Sequence, residues 1–358
     1  MNGKSQRLLS VDALRGFDMF WIIGGDQLAH HLAAWTHATP FLVLSRQMTH
    51  ADWIGFHAYD LVFPLFMFLS GVSLGLVVEN RGAAPSLARA ARRMVALIVL
   101  GVAYNWGWTI DPERTRLASV LGLIGATYMV AATAAALRWS VAAIAGGAVA
   151  VLVATALLQL TIDVPGAGRG VLTPDGAING WIDRLLLPGR LHGGSYDPEG
   201  LFAIISGSAI TLAGLATGRH AALVRRTGAP QQPLVYAVLG VILFAAGMLV
   251  SAHYPPIKKL WTATFDVMAI GASLMLLAAS MSLFDAGRAR RAGVFFAVIG
   301  ANAILIYMAA RYFAYPLFKI LANGEIGAPL RIVGVALIMT TEWLILYALY
   351  RRRIFLRV

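Results

Sequence analysis

Residues 233–252 read PLVYAVLGVILFAAGMLVSA, twenty consecutive residues without a charged side chain. An α-helix of this length rises about 30 Å, which matches the thickness of the hydrocarbon core of a bilayer. Helices at the surface of a soluble domain carry a polar face, and this segment has none. The segment therefore predicts a membrane-spanning helix.

Similar apolar segments recur along the whole chain. Of the 358 residues, 59% are hydrophobic and 13% are charged, and the charged share is about half that of a soluble domain. We predict an all-α integral membrane protein, a single domain over residues 1–358 with about ten transmembrane helices. The predicted spans are 13–32, 60–79, 94–108, 117–136, 140–160, 200–217, 233–252, 261–283, 293–313 and 330–350.

The basic residues predict the orientation. The formal net charge is +12, and many of the Lys and Arg residues cluster near predicted span ends, from Lys4 and Arg7 at the start of the chain to Arg351–Arg353 and Arg357 at its end. By the positive-inside rule both termini lie in the cytoplasm, and a long periplasmic loop lies near 161–199. Because topology accounts for the basicity, we expect no nucleic-acid partner. The expected location is the bacterial inner membrane, as a multi-pass protein.

The first span is expected to be retained rather than cleaved as a signal peptide. Asp12, Arg15 and Asp18 interrupt its apolar run, and no A-x-A cleavage site follows it. Asp18 and Asp26 lie eight residues apart, which places them about 80° apart around a straight α-helix. Both could face one interior cavity, or each could form a hydrogen bond between helices.

His50 is the strongest candidate for chemistry. It begins the sequence HADW, and His57 and Asp60 follow it closely. Near neutral pH a histidine can accept a proton from an attacking amine or hydroxyl, and Asp26 or Asp60 could orient it. The alternative is a surface histidine near the lipid headgroups. No HExxH or comparable spacing occurs, so we expect no metal.

The predicted periplasmic loop near 161–199 ends in the sequence YDPEG at residues 196–200. Asp197 could cap the following helix, and Glu199 could complement its dipole. Alternatively, both carboxylates could hold the hydroxyls or the ammonium group of a polar substrate. Spacing alone does not separate these interpretations.

Several segments together resemble one known family. They are RLLSVDALRG (7–16), HADW and YDLVFPLF (within 50–66), VPGAGRGVLTPDG (164–176), GWIDRLLL (180–187), YDPEG, KKLW (258–261) and NAILIY (302–307). In this order they resemble the heparan-alpha-glucosaminide N-acetyltransferase family, whose bacterial homologues belong to a transmembrane acyltransferase superfamily.

The resemblance implies transfer of an acetyl group from cytoplasmic acetyl-CoA to the amine of a glucosamine-type sugar on the periplasmic side. His50 falls on the family's catalytic histidine, and Asp26 falls where the lysosomal enzymes have an asparagine. Whether His50 acts as a general base or carries the acetyl group itself stays open.

The expected partners are acetyl-CoA, an amino-sugar or glycan acceptor and membrane lipid, with a homodimer possible. The candidate acceptor-binding residues are Trp53, His192, Asp197, Glu199, Lys259 and Asn302, and an amide such as that of Asn302 could also donate to an oxyanion. The candidate CoA-binding residues are Arg15, Arg89, Arg92 and Arg93.

Two other functions fit parts of the pattern. Charged residues within many spans are also expected of a sugar or small-molecule transporter. An O-acetyltransferase acting on an exopolysaccharide hydroxyl would need the same histidine chemistry. An acetyltransferase releases CoA, whereas a transporter does not. Comparing an amine acceptor with a hydroxyl acceptor distinguishes the N-acetyltransferase from the O-acetyltransferase.

Overall fold

The computed structural model of the chain describes residues 8–111, 115–324 and 326–356. Lys4, Arg7 and Arg357, which contributed to the predicted orientation, lie outside the described residues. The described residues form two compact units. The single domain predicted from the sequence stays a prediction.

Of the described residues, 8–51, 57–62 and 276–356 form the first unit, apart from residue 325. It opens with α1 (Leu9–Phe20), a π-helical turn (Trp21–Gly25), α2 (Asp26–Thr36) and α3 (Thr39–Gln47), and it includes the 3-10 turn Ala58–Leu61. Its later elements are a π-helical turn (Met281–Asp285), α12 (Arg290–Gly300), α13 (Ala303–Ala309), a π-helical turn (Ala310–Ala314), α14 (Tyr315–Asn323) and α15 (Ala328–Arg351).

The second unit comprises residues 52–56 and 63–275. Its first elements are most of α4 (Val62–Arg81), α5 (Leu87–Trp106), α6 (Val120–Ala136) and α7 (Val141–Thr161). A short hairpin follows, formed by the two-residue strands β1 (Asp163–Val164) and β2 (Gly168–Arg169). The later elements are α8 (Ile178–Leu186), α9 (Leu201–Arg226), α10 (Pro233–Val250), a 3-10 turn (Lys258–Leu260) and the first part of α11 (Ala263–Ser280). The two strands are antiparallel, with Asp163 paired to Arg169.

Among the described residues, seven helices are long and apolar enough to cross a membrane. They are Ala58–Arg81, Val141–Thr161, Leu201–Arg226, Pro233–Val250, Ala263–Asp285, Ala303–Asn323 and Ala328–Arg351. The chain is therefore a multi-span helical membrane protein. Helices also cover the predicted spans 13–32, 94–108 and 117–136, but α6 has 17 residues and the other two carry several charged side chains. The count of ten and the orientation stay predictions.

The predicted ninth span, 293–313, is wrong in its bounds. Helix α12 ends at Gly300, and a new helical stretch begins at Ala303 and continues to Asn323. Asn302 stands at the start of this stretch and bonds elsewhere, to the backbone near the C-terminus. Residues 33–59, which lie between the first two predicted spans, contain the end of α2 and all of α3.

The first long helical stretch is kinked at Gly24. This residue has φ of 138° inside the π-helical turn Trp21–Gly25, a conformation that glycine adopts without steric cost. A Cβ atom here would lie 2.9 Å from Cζ of Phe318, so close packing also excludes a side chain. The estimate of 80° between Asp18 and Asp26 assumed a straight helix and does not hold across this kink. Asp18 is buried, whereas Asp26 is half-buried.

Small residues allow α4 and α9 to pack backbone against backbone. Gly71 and Gly75 of α4 face Thr211, Leu215 and Arg219 of α9, and Gly214 and Gly218 of α9 face the backbone of Phe68 and Val72. Cβ atoms built at these glycines collide with backbone carbonyls of the opposite helix. Each helix thus carries a GxxxG pattern, the arrangement that supports close association in lipid.

Candidate functional site

His50 and Asp60 form a hydrogen-bonded pair in the first unit. Nδ1 of His50 lies 2.8 Å from Oδ1 of Asp60. The His50 side chain is 49% exposed, whereas the Asp60 side chain is 1% exposed. A buried carboxylate is therefore hydrogen-bonded to a half-exposed imidazole, and the catalytic roles predicted for His50 and Asp60 stay predictions.

The chain around Asp60 fixes this carboxylate from the other side. Its Oδ2 accepts hydrogen bonds from the backbone N–H of Ala51, at 3.2 Å, and of His57, at 3.0 Å. His57 precedes the 3-10 turn Ala58–Leu61 that carries Asp60, and its own Nδ1 lies 2.7 Å from the carbonyl oxygen of Thr49. These bonds tie the backbone at Thr49, Ala51 and His57 to the turn that carries Asp60.

The pairing decides which imidazole nitrogen carries the proton. An ionised carboxylate only accepts hydrogen bonds, so Nδ1 of His50 must donate to Asp60. In the neutral ring Nε2 then carries the lone pair, and Nε2 is the atom that can accept a proton. This is the arrangement by which a carboxylate orients a general base or a nucleophilic imidazole.

Asp26 reaches this pair through Tyr59. The Tyr59 hydroxyl lies 3.4 Å from Oδ2 of Asp26, and the Tyr59 ring centroid lies 4.8 Å from that of His50 at an interplanar angle of 44°. Asp26 also accepts bonds from the backbone N–H of Gln27, at 2.7 Å, and from its side chain, at 3.2 Å. Sequence reasoning did not select Tyr59, although its position next to Asp60 was a signal.

Trp53 and Lys259, two predicted acceptor-binding residues, meet in the second unit. The Lys259 ammonium donates to the backbone oxygen of Asp52 at 2.6 Å and lies 5.8 Å from the Trp53 ring centroid. The Trp53 indole N–H donates to the carbonyl oxygen of Leu172 at 2.8 Å, and its ring packs edge-on against Tyr196 at 5.4 Å. An indole with a cation above it is a surface on which an apolar sugar face can stack.

Asp197 and Glu199 are both bound by Arg116, which sequence reasoning missed. Arg116 donates from Nη2 to Oδ1 of Asp197 at 2.5 Å and from Nε to Oδ2 at 2.7 Å, and Nη2 also pairs with Glu199. Burial alone would lower the pKa of Arg116, but the bonds and charges of Asp197 and Glu199 raise it above its usual value. No local signal could reveal this pair, because 81 residues separate Arg116 from Asp197.

The carboxylate that caps α9 belongs to Asp183. Its Oδ1 accepts the backbone N–H of Leu201 at 2.9 Å and its Oδ2 accepts that of Asp197 at 3.2 Å. A side chain at Gly200 would collide with this carboxylate. Burial raises the pKa of Asp183 to about 6, although the two backbone N–H groups oppose the shift.

Asp197 is instead almost completely engaged within its own loop. Beyond Arg116, it accepts the backbone N–H of His192 at 3.0 Å and that of Glu199 at 3.0 Å. The His192 side chain is exposed. Both stay predicted acceptor-binding residues, and the bonds of Asp197 also give it a structural role.

Asn302 is buried and bonds to the C-terminal backbone. Its Nδ2 donates to the carbonyl oxygen of Ile354 at 3.1 Å, and its Oδ1 accepts the N–H of Leu356 at 2.9 Å. This is the bonding of a structural amide. The predicted role of Asn302 in acceptor or oxyanion binding stays a prediction.

The predicted CoA-binding arginines lie on two helices. Arg15 pairs with Asp12 at 3.3 Å within α1. Arg89 and Arg92 are exposed on the first two turns of α5, and the Arg93 guanidinium lies 4.2 Å from the Tyr128 ring centroid. A second basic group was not selected from the sequence: a cavity of about 670 Å³ at the start of α12 is lined by three arginines, Arg288, Arg290 and Arg291.

Metal ligands are not assembled in the part of the chain that the structure describes. No group of three or more His, Cys, Asp or Glu side chains is placed there to hold a metal ion. The expectation that no metal takes part stays a prediction.

The apolar helices and the His50–Asp60 pair define a class: a multi-pass membrane protein with a carboxylate-oriented histidine. Comparison with known proteins shows which family the chain resembles. Residues 7–180 match the family model described as heparan-alpha-glucosaminide N-acetyltransferase, catalytic. That segment contains Asp26, His50, Trp53 and Asp60. The resemblance to this family predicted from the sequence is therefore confirmed.

Two curated relatives carry the same name. The chain is 26% identical to heparan-alpha-glucosaminide N-acetyltransferase of Homo sapiens, over 98% of this chain and 60% of the relative. It is 25% identical to the protein of the same name from Mus musculus, over 86% of this chain and 56% of the relative. The chain thus spans less than two thirds of the length of these relatives.

Proposed function

We propose that the protein transfers an acetyl group from acetyl-CoA to the amine of a glucosamine-type sugar, with His50 at the reacting centre. The observation that carries the proposal is the His50–Asp60 pair, with Nδ1 and Oδ1 2.8 Å apart, within the residues that match the catalytic family model.

In the direct mechanism His50 acts as a general base. The sugar nitrogen attacks the thioester carbonyl carbon, and Nε2 of His50 takes the proton from that nitrogen as the C–N bond forms. The tetrahedral intermediate then collapses, the C–S bond breaks, and the thiolate of CoA takes the proton from His50. Asp60 stabilises the imidazolium that forms between the two steps.

The covalent mechanism uses the same nitrogen. Nε2 of His50 attacks the thioester carbonyl, the C–S bond breaks, and CoA leaves as the thiolate while the acetylated ring keeps its Nδ1 proton. The sugar amine then attacks the acetyl carbon, the C–Nε2 bond breaks, Nε2 regains its lone pair, and the surplus proton of the amine passes to water. Both mechanisms need Nε2 to carry the lone pair, and the pairing of Nδ1 with Asp60 favours that tautomer.

We assign acceptor binding to Trp53 and Lys259. Trp53 follows His50 by three residues in the chain, and its indole ring supplies a face for a pyranose ring. Lys259 can donate a hydrogen bond to a sugar hydroxyl. Asp197 and Glu199 contribute by holding their loop through Arg116, whose two ion pairs are largely buried.

The phosphates of acetyl-CoA require cations. Two groups of arginines are candidates. The first comprises the predicted residues Arg15, Arg89, Arg92 and Arg93. The second comprises Arg288, Arg290 and Arg291, which line the cavity at the start of α12. From the positive-inside rule we infer that both groups face the cytoplasm at an inner membrane and that His50 faces the opposite side. The acetyl group would then cross the membrane during transfer.

Release of CoA by the purified protein tests the proposal. We expect wild type to release CoA from acetyl-CoA when glucosamine is present, and His50→Ala to lose activity by about 10²–10⁴-fold, the usual contribution of a general base. His253→Ala is the matched control, because His253 is an exposed histidine in another outer segment. A folded His50→Ala variant with wild-type activity would reject the role of His50, and no release with any amine would reject the acetyltransferase.

A further inference from the structure

Tyr59 connects two groups that the sequence analysis proposed separately. Its hydroxyl lies 3.4 Å from Oδ2 of Asp26, and its ring packs against the His50 ring at 4.8 Å. Asp26 begins α2, and Tyr59 belongs to the 3-10 turn Ala58–Leu61. Both bonds of Asp26 to Gln27 hold the carboxylate at that helix start. A side chain held at both ends therefore packs against the His50 ring, with the two ring planes tilted by 44°.

His50 needs a second contact beyond Asp60. One hydrogen bond from Nδ1 fixes the position of that atom, but the imidazole can still rock about the Nδ1···Oδ1 line. Such rocking displaces Nε2, and a displacement of about 1 Å at a reacting atom can cost 10²-fold in rate. The His50 side chain is 49% exposed, and the Tyr59 ring packs against it. The Tyr59 ring supplies a wall on one side.

We propose that Tyr59 is a positioning residue for His50, and that Asp26 acts on His50 by holding the Tyr59 hydroxyl. In this proposal Asp26 touches neither the acceptor nor the acetyl group. The proposal rests on the proposed acetyltransferase function for its kinetic consequences. Its geometric part, the restraint of the His50 ring, stands on the contacts alone.

A double-mutant cycle tests the coupling. Tyr59→Phe keeps the ring and removes the hydroxyl, and Asp26→Ala removes the acceptor. We expect each variant to lower kcat by about three- to tenfold, the worth of one hydrogen bond, with KM for both substrates unchanged. Because the two changes break the same bond, the double variant should be no slower than the slower single variant.

Two further variants separate positioning from other roles. Asp26→Asn keeps an oxygen that accepts the Tyr59 hydroxyl, so kcat should return to within about twofold of wild type. Tyr59→Leu removes the aromatic wall, so it should be slower than Tyr59→Phe. Multiplicative losses in the double variant, or a raised KM for the sugar in Asp26→Ala, would overturn the proposal, since either result would give Asp26 a role of its own.

A second readout does not depend on catalysis. Peptide-resolved labelling of His50 by diethylpyrocarbonate measures how accessible and how restrained its ring is, and His253 in the same sample serves as internal control. We expect faster labelling of His50 in Tyr59→Leu and in Asp26→Ala than in wild type, and no change at His253. Unchanged labelling of His50 would overturn the restraint. Changed labelling without any acetyltransferase activity would leave the restraint standing and reject the proposed function.

Discussion

Replacing Asp60 by asparagine should break the pairing on which His50 depends. Asp60 accepts hydrogen bonds from Nδ1 of His50 and from the backbone N–H groups of Ala51 and His57. Asparagine has one oxygen and one NH2 group. If the oxygen keeps the two backbone bonds, the NH2 group faces Nδ1 of His50.

We expect the asparagine side chain to adopt the orientation in which its oxygen keeps the two hydrogen bonds from the backbone N–H groups. The reverse orientation points an NH2 group at two backbone donors, and each unsatisfied buried donor costs about 1–3 kcal/mol. Facing an NH2 group, Nδ1 of His50 must accept, and the proton moves to Nε2. The ring then presents its N–H where the lone pair is needed, so activity should fall on the order of 10²–10⁴-fold.

The loss of stability should be much smaller than the loss of activity. The variant loses about one hydrogen bond, which is worth about 1 kcal/mol. The assay is the initial rate of CoA release, with thermal unfolding in detergent measured in parallel. Asp52→Asn is the matched control, because Asp52 is an exposed aspartate in the same outer segment. An Asp60→Asn variant within threefold of the wild-type rate would refute the tautomer argument.

Three more predictions concern buried carboxylates. Arg116→Met should destabilise the protein by about 3–5 kcal/mol, because it leaves the buried charge of Asp197 without its cation, and the shift in unfolding temperature will show it. Because the pKa of Asp183 is raised to about 6 in the native state, the folded protein binds a proton on this carboxyl more tightly than the unfolded chain does. The free energy of unfolding should therefore fall by on the order of 2–3 kcal/mol as the pH rises from about 4 to 6. In Asp183→Asn the free energy of unfolding should change less over this pH range. Asp266→Asn should unfold at a higher temperature than Asp266→Leu, because the amide can still bond to the Ser206 hydroxyl, which lies 2.5 Å from the Asp266 carboxylate and also contacts the Trp261 carbonyl oxygen at 2.7 Å.

Hydropathy located most of the helices because lipid leaves few alternatives. A buried backbone in hydrocarbon must bond to itself, so an apolar run of about 20 residues folds as a helix whatever its neighbours are. The break between α12 and α13 was missed because residues 293–313 are apolar on both sides of it. Asn302 was the available signal, since asparagine is common at helix starts.

The sequence predicted only part of the site, because some of its contacts join residues that are far apart in the chain. His50 and Asp60 lie ten residues apart, so one loop brings them together and sequence proximity was informative. The partner of Asp197 lies 81 residues away, and the cap of α9 comes from Asp183 on another helix. Such contacts depend on tertiary packing, which local sequence patterns do not reveal.

Transfer of an isotope-labelled acetyl group is the most direct measurement of the proposed reaction. Labelled acetyl-CoA is added on one side of proteoliposomes that contain the protein, glucosamine is added on the other, and mass spectrometry detects N-acetylated sugar. We predict labelled N-acetylglucosamine on the sugar side with wild type and with His253→Ala, and none above background with His50→Ala. Labelled product formed equally well by a folded His50→Ala variant, or no labelled product with wild type, would contradict transfer through His50.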